Sequence, residues 1–242
     1  MNSDRAIGTE PGRADAAWLC GLLQAGDSFF PTGSYAHSFG LEGLVQEGGV
    51  HDAATLRAYL FQAALPALRH TELPLAAHAW RALGAPDWVA LRDLSELSSA
   101  LRTPREARAA SENIGRQRAE LAARLRPSPL AEEFLTRARA EGWPFSSPVA
   151  AALEGRALGA PLTAVLAGVS YASVASLLSA AMKLLRLGQN GAQSLLTEAL
   201  AAAPDLIAAA ERTPRDEIGW FNPWLDIASA RHETADARMF IS

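Results

Sequence analysis

The sequence is short of most groups that carry chemistry. Its 242 residues include one cysteine, Cys20, which excludes an intrachain disulfide and the four-cysteine zinc frameworks and suits a reducing compartment. The five histidines (His37, His51, His70, His78 and His232) are scattered. Only His70 and His78 fall on nearby helical turns, and eight residues apart is not ligand spacing. No stable transition-metal site is therefore expected within one subunit, while a transient or intersubunit site stays open. The phosphate-binding G-x-x-x-x-G-K-[ST] loop, the dinucleotide fingerprint, the G-x-S-x-G elbow and the D-D-x-x-D pattern are all missing. A net charge of −4 supplies no basic field to draw nucleic acid or anionic lipid. Of 22 cationic side chains, Lys183 alone is lysine. A bias towards arginine accounts for the others, and lysine differs from arginine in being compact and flexible.

β-Branched residues are also sparse, and no alternating strand pattern of useful length occurs. Alanine and leucine dominate, so propensity points to helix almost everywhere. No fixed-period repeat stands out, and no linker is long enough to divide the chain. The expectation is an all-α, single-domain bundle of roughly ten helices over 15–225. A disordered lead-in is expected at 1–14, and an aromatic tail with weak helical character at 226–242. Acids at Asp4, Glu10 and Asp15 argue against a signal peptide.

Trp18, Leu19, Leu22 and Leu23 space a first helix over 15–25, ended by Gly26. A short helix carries Leu41, Leu44 and Val45 to Gly48-Gly49. Asp52 is a plausible N-cap for a third helix, which Pro66 should kink or end. Helices over 72–83 and 87–101 follow. Thr103-Pro-Arg-Glu106 reads as a capping box opening a mostly polar helix, with Ala107, Ala110, Ile114, Leu121 and Leu125 inward. Ser128-Pro129 and Ser147-Pro148 start two more, ending at Gly142 and near Gly159. Residues 157–182 carry no charge. Such a run is a membrane span or the central helix of a bundle. Its many small residues, with Ser170, Ser173, Ser176 and Ser179 three apart, favour the second. Short helices are expected over 191–202 and 204–212.

The loop Gly26–Gly40 breaks this helical pattern with Phe29, Phe30, Pro31, Gly33, Tyr35 and Phe39. Asp27, Ser28, Tyr35, His37 and Ser38 could compose a hydrolytic set, but one short loop rarely supplies a whole triad. A plainer reading has Asp27 and Ser34 capping turns and the aromatics in the core. An aromatic, glycine-containing irregular segment on a rigid scaffold favours recognition.

Three segments together resemble the urease accessory protein F (UreF) family. They are Asp27-Ser-Phe-Phe-Pro-Thr-Gly-Ser-Tyr-Ala-His-Ser-Phe-Gly-Leu-Glu42, Lys183-Leu-Leu-Arg-Leu-Gly-Gln189, and Asp226-Ile-Ala-Ser-Ala-Arg-His-Glu233 with Arg238-Met-Phe-Ile-Ser242. The resemblance runs from about residue 16 to the end. It implies an all-α, non-enzymatic, cytoplasmic chaperone without a cofactor of its own, which tends to dimerise. Such a protein binds a UreD/UreH-type accessory protein and recruits and gates a UreG-type GTPase, so that nickel reaches apo-urease. Carried onto this chain, the resemblance implies partner-binding roles for Asp27, Pro31, Gly33, Tyr35, His37 and Glu42 in the loop. It implies the same for Lys183, Arg186 and Gln189 at the helix end, and for Asp226, Ile227, Arg231, His232, Glu233, Arg238 and Phe240 in the tail. The alternative is a generic helical adaptor for another GTPase or protein complex.

Overall fold

Alanine- and leucine-rich stretches cut by glycine and proline leave the backbone few choices but helix. The computed structural model describes residues 11–34, 37–233 and 238–241, with the backbone alone at 11–15, and every regular element among them is helical. Tyr35 therefore lies outside the described residues, as does most of the expected lead-in. The helices run in order: α1 (Pro11–Gly26), α2 (Leu41–Gln46), α3 (Ala53–Tyr59), α4 (Leu65–His70), α5 (Glu72–Ala82), α6 (Trp88–Ala100), α7 (Arg105–Leu125), α8 (Pro129–Glu141), α9 (Ser147–Leu158), α10 (Leu162–Leu184), α11 (Gln189–Ala201), α12 (Ala203–Ala210) and α13 (Pro223–His232). The all-α single-domain bundle is what forms. The tail is more helical than its composition suggests, since α13 holds ten residues.

Local chemistry sets most boundaries. Asp52 and Thr55 form a reciprocal capping box at α3, with Thr55 N donating to Asp52 Oδ1 at 2.8 Å and Asp52 N donating to Thr55 Oγ1 at 3.0 Å. Ser128 Oγ accepts from Ala131 N at 3.2 Å ahead of Pro129. Gly142 and Gly159 stop their helices in the left-handed region, at φ 69° and 73°. Pro66 has no N–H to return to the preceding turn, and the chain passes through a π-helical turn, Leu60–Ala64, just before it.

One cap differs from expectation. α7 has Pro104 at its N-cap and no side-chain cap bond, so the Thr103–Glu106 box does not form. The Glu106 carboxylate instead accepts from Arg238 Nη1 at 2.7 Å. A guanidinium offers a carboxylate a stronger bond than a neutral backbone amide. On α7, Ala110, Ile114 and Leu121 are buried as expected, while Ala107 is half-buried and Leu125 exposed. The rest of its inner face is small: Ser111, Gly115, Ala119 and Ala122. A Cβ at Gly115 would stand 2.6 Å from the Ser146 carbonyl carbon, so only glycine lets α7 lie this close to the start of α9.

Two hydrophobic cores share a wall. The larger surrounds α10 and draws Leu56, Leu60, Leu73, Leu177, Leu195 and Ile207 around it. The second surrounds α9, with Leu91, Leu94, Phe134, Trp143 and Ile218. α5 serves both, giving Leu73, Ala76 and Ala77 to one and Leu75 and Ala79 to the other. The charge-free run is thus divided at Gly159-Ala160-Pro161 between α9 and α10. α10 is long and apolar enough to cross a membrane, and half of that span is buried inside the bundle.

One carboxylate is enclosed where α7 meets α9. Glu154, its side chain 1% exposed, accepts from Arg118 Nε at 2.8 Å, and Arg126 Nη1 lies 3.9 Å from its other oxygen. Removing a partner would strand a buried charge, so Arg118→Ala should cost about 3–5 kcal/mol in urea unfolding. Replacing both ends, as Arg118→Met with Glu154→Leu, should cost less. A single variant as stable as the parent would show that the α7–α9 packing does not depend on this pair.

Candidate functional site

The loop enters through a tight turn. Asp27 Oδ1 accepts from Phe29 N at 2.7 Å and Asp27 O from Phe30 N at 2.9 Å. The turn sends adjacent aromatics opposite ways: Phe30 is buried with Ala25 and Leu121, and Phe29 is 91% exposed. The loop leaves through two consecutive left-handed residues, Phe39 (φ 54°) and Gly40 (φ 86°). For phenylalanine that conformation is costly. It turns Leu41 into the larger core and opens α2, where Ser38 Oγ accepts from Glu42 N at 3.3 Å.

α2 forms a seat for α13. At Gly40 a side chain would run into Ser229 and Leu225, and at Gly43 a Cβ would lie 2.5 Å from the Ala228 carbonyl oxygen. The two glycines flank Leu41-Glu42, so the docked helix approaches backbone to backbone there.

Glu42 is the centre of the seat. It is 4% exposed, and its carboxylate collects three donors from the C-terminal segment. Met239 N donates to Oε1 at 2.7 Å, Phe240 N to Oε2 at 3.0 Å, and His232 Nε2 to Oε2 at 2.7 Å. The other imidazole nitrogen of His232 faces Glu106 Oε2 at 3.5 Å, and Glu106 Oε1 is held by Arg238. A carboxylate withdrawn from water this far is tolerable only when paired and hydrogen-bonded. Around this centre lie exposed pairs, Arg231 with Glu47 at 2.8 Å and Arg105 with Glu233, which contribute little each.

The isolated lysine joins the same assembly. Lys183, at the last turn of α10, places Nζ 5.0 Å from the ring centroid of Phe240, which is buried in the larger core. That is cation–π range. Arg186 and Gln189 are exposed beyond it, Gln189 as the first residue of α11.

The three segments singled out in the sequence thus meet through Glu42, His232, Arg238, Phe240 and Lys183. The candidate residues divide into two kinds. Glu42, His37, His232 and Phe240 are buried, and burial lowers the pKa of the His37 imidazole from its ordinary value. Asp27, Pro31, Gly33, Lys183, Arg186, Gln189, Ile227, Arg231 and Arg238 are exposed, and Asp226 and Glu233 are half-buried. Asp27, a member of the conceivable hydrolytic set, spends its carboxylate on the Phe29 amide. Sequence reasoning missed Gly40, Gly43 and Glu106 as partners of the tail. The glycine pair around Leu-Glu was the available signal; Glu106 gave none, because it imitates a capping residue.

The docked segment also carries an apolar outer face. Phe221 is 83% and Trp224 77% exposed, and Ile227 follows three residues later on the same side, with Met239 and Ile241 exposed beyond. Trp220, just before them, stacks on His70 at 5.3 Å between ring centroids.

Replacing Glu42 by glutamine would set an amide NH2 against donors that need an oxygen. Glu42→Gln and Gly43→Ala should both leave overall helicity intact while releasing the tail. Tryptic cleavage after Arg231 and Arg238 under native conditions should rise roughly tenfold. Parent-like protection in both variants would show that the tail is held by something else.

Comparison with known proteins gives a consistent result. The UreF family model matches residues 50–200, which takes in α3 to α11 and the Lys183 segment. Relatives extend the match over nearly the whole chain. The urease accessory protein UreF of Arthrobacter sp. (strain FB24) is 35% identical over 241 residues, covering 95% of this chain and 99% of its own length. That of Paenarthrobacter aurescens (strain TC1) is 32% identical over 94% and 99%, and that of Bacillus sp. (strain TB-90) 27% identical over 93% and 99%. With a family model spanning more than half the chain and full-length relatives above 30% identity, the chain belongs to the UreF family of urease accessory proteins.

Proposed function

We propose that this protein is a non-enzymatic chaperone of urease maturation in the cytoplasm. It binds a UreD/UreH-type accessory protein and with it recruits and gates a UreG-type GTPase, so that nickel is inserted into apo-urease. The observation that carries the reading is the outer face of the docked C-terminal segment, where Trp224 and Ile227 stand in water on one side of α13, with Phe221 exposed just before it, while the inner side of the helix is fixed to Glu42. Exposed aromatics with an apolar neighbour on a firmly seated element are the residue types that anchor protein interfaces. We assign that face to the UreD/UreH-type partner. The loop around Phe29, with Lys183, Arg186 and Gln189, is assigned to the assembly that receives the GTPase.

A second copy of the chain has its own candidate face. Leu19 and Leu23 on α1 and Tyr171 and Met182 on α10 are exposed, and Tyr171 packs beside Gly26 at the end of α1. Ala167, also on α10, is exposed as well, and α10 has no charge before Lys183. Small and apolar side chains on adjoining helices suit a close twofold contact. Leu23→Asp should shift the protein to the monomer mass in light scattering; an unchanged mass would remove α1 from the interface.

Nickel-dependent urease activation in cells lacking the protein tests the main reading. Return of the parent chain should restore activity. Trp224→Asp should restore little and should fail to capture the UreD/UreH-type protein. Lys183→Ala should restore less than Lys183→Arg, because arginine can still lie against the Phe240 ring. If the parent chain captures a different GTPase complex and has no effect on urease, the generic adaptor reading takes over.

A further inference from the structure

We propose that Gln117, on the side of α7 facing the loop, is the positioning residue that holds Phe29 outward as an anchor for the GTPase-bearing partner. This rests on the loop being a partner surface, as argued above. The polar character of α7 has a local purpose at this point. Gln117 presents its amide to the loop, and Asn113, one turn earlier, holds that amide in place. With its oxygen accepting from Asn113 Nδ2 at 3.2 Å, the Gln117 amide nitrogen donates to Thr32 O at 3.0 Å and Pro31 O at 3.1 Å. The reverse orientation would set the amide oxygen against two carbonyls.

The bonds act on the stretch that decides which aromatic faces water. Thr32 is buried, Gly33 turns at φ 79°, and a Cβ at Gly33 would already stand 3.5 Å from the Gln117 amide group. Asp27 fixes the near end of the bend and Gln117 the far end, with Phe30 buried between them. Phe29 is left at the apex. Past Pro31 opens a groove of about 650 Å³ walled by Pro31, Gln117, Leu121, Arg124, Leu135 and Arg139. An aromatic held in place before binding loses little freedom on association, which is where such a clamp gains affinity. Glutamine fits the position where its near-isosteres do not. Glutamate would oppose the two carbonyls, leucine would donate to neither, and asparagine is a methylene too short.

Gln117→Glu, Gln117→Leu and Phe29→Ala in the full chain separate positioning from contact. Amide hydrogen exchange over 27–34 should rise in both Gln117 variants and stay at the parent level in Phe29→Ala, with 41–46 and 223–232 unchanged in all three. Retention of the UreG-type GTPase by the chain bound to its UreD/UreH-type partner should weaken roughly tenfold in each, about the worth of one or two hydrogen bonds. The Gln117→Leu, Phe29→Ala double variant should be no weaker than Phe29→Ala alone. Unchanged exchange over 27–34 overturns the inference, and so does raised exchange with parent-level retention. Loss of assembly in Trp224→Asp, with none in the Phe29 or Gln117 variants, would leave the accessory role standing and overturn this inference alone.

Discussion

A single carboxylate must be kept out of water and still be satisfied, and much of the molecule's outer architecture follows from that. Glu42 sits in a short helix that closes over the larger core, with no room for solvent to serve its oxygens. Two backbone N–H groups and an imidazole from nearly two hundred residues away do so instead. The dependence is mutual. Met239 and Phe240 lie outside any helix, and without Glu42 their amides would need other acceptors. Docking the C-terminal segment and burying Glu42 are therefore one event, and the aromatic face of α13 acquires its orientation from it.

Close approach makes that event possible. Gly40 and Gly43 let the α13 backbone reach α2, and Gly115 brings α7 against the start of α9. Through α7, Glu106 holds Arg238 and faces His232, so the position of a scaffold helix is felt by the tail. Lys183 links the same tail to the end of the central helix α10 through the Phe240 ring. The loop and the tail are short or irregular, and their rigidity is lent by long helices packed on two cores.

Much of this was legible before any coordinates. Asp52, Ser128, Gly142 and Gly159 act as helix signals because caps are decided by a few neighbouring atoms. The central apolar helix was visible because charge is so seldom absent over that length. The loop, the lysine and the tail could be listed as three segments, but their contact could not be read, since nothing in local spacing tells Glu42 that His232 is its partner. Glu106 illustrates the limit: by spacing it is a capping residue, and only the nearby guanidinium of Arg238 makes it something else. Phe29 and Phe30 are chemically identical and adjacent; the turn at Asp27 and the amide of Gln117 decide which one enters the core.

The sequence by itself determined the helical class, most helix ends, the division of the bundle by proline and glycine, and membership in its family. Those depend on propensity, periodicity and short motifs, all of which act within a few residues. The tertiary structure decided which of the marked residues are buried and which are left exposed. Glu42, His232 and Phe240 turned inward, and Phe29, Phe221 and Trp224 outward, because burial of a charge or a ring is settled by what packs against it from elsewhere in the chain.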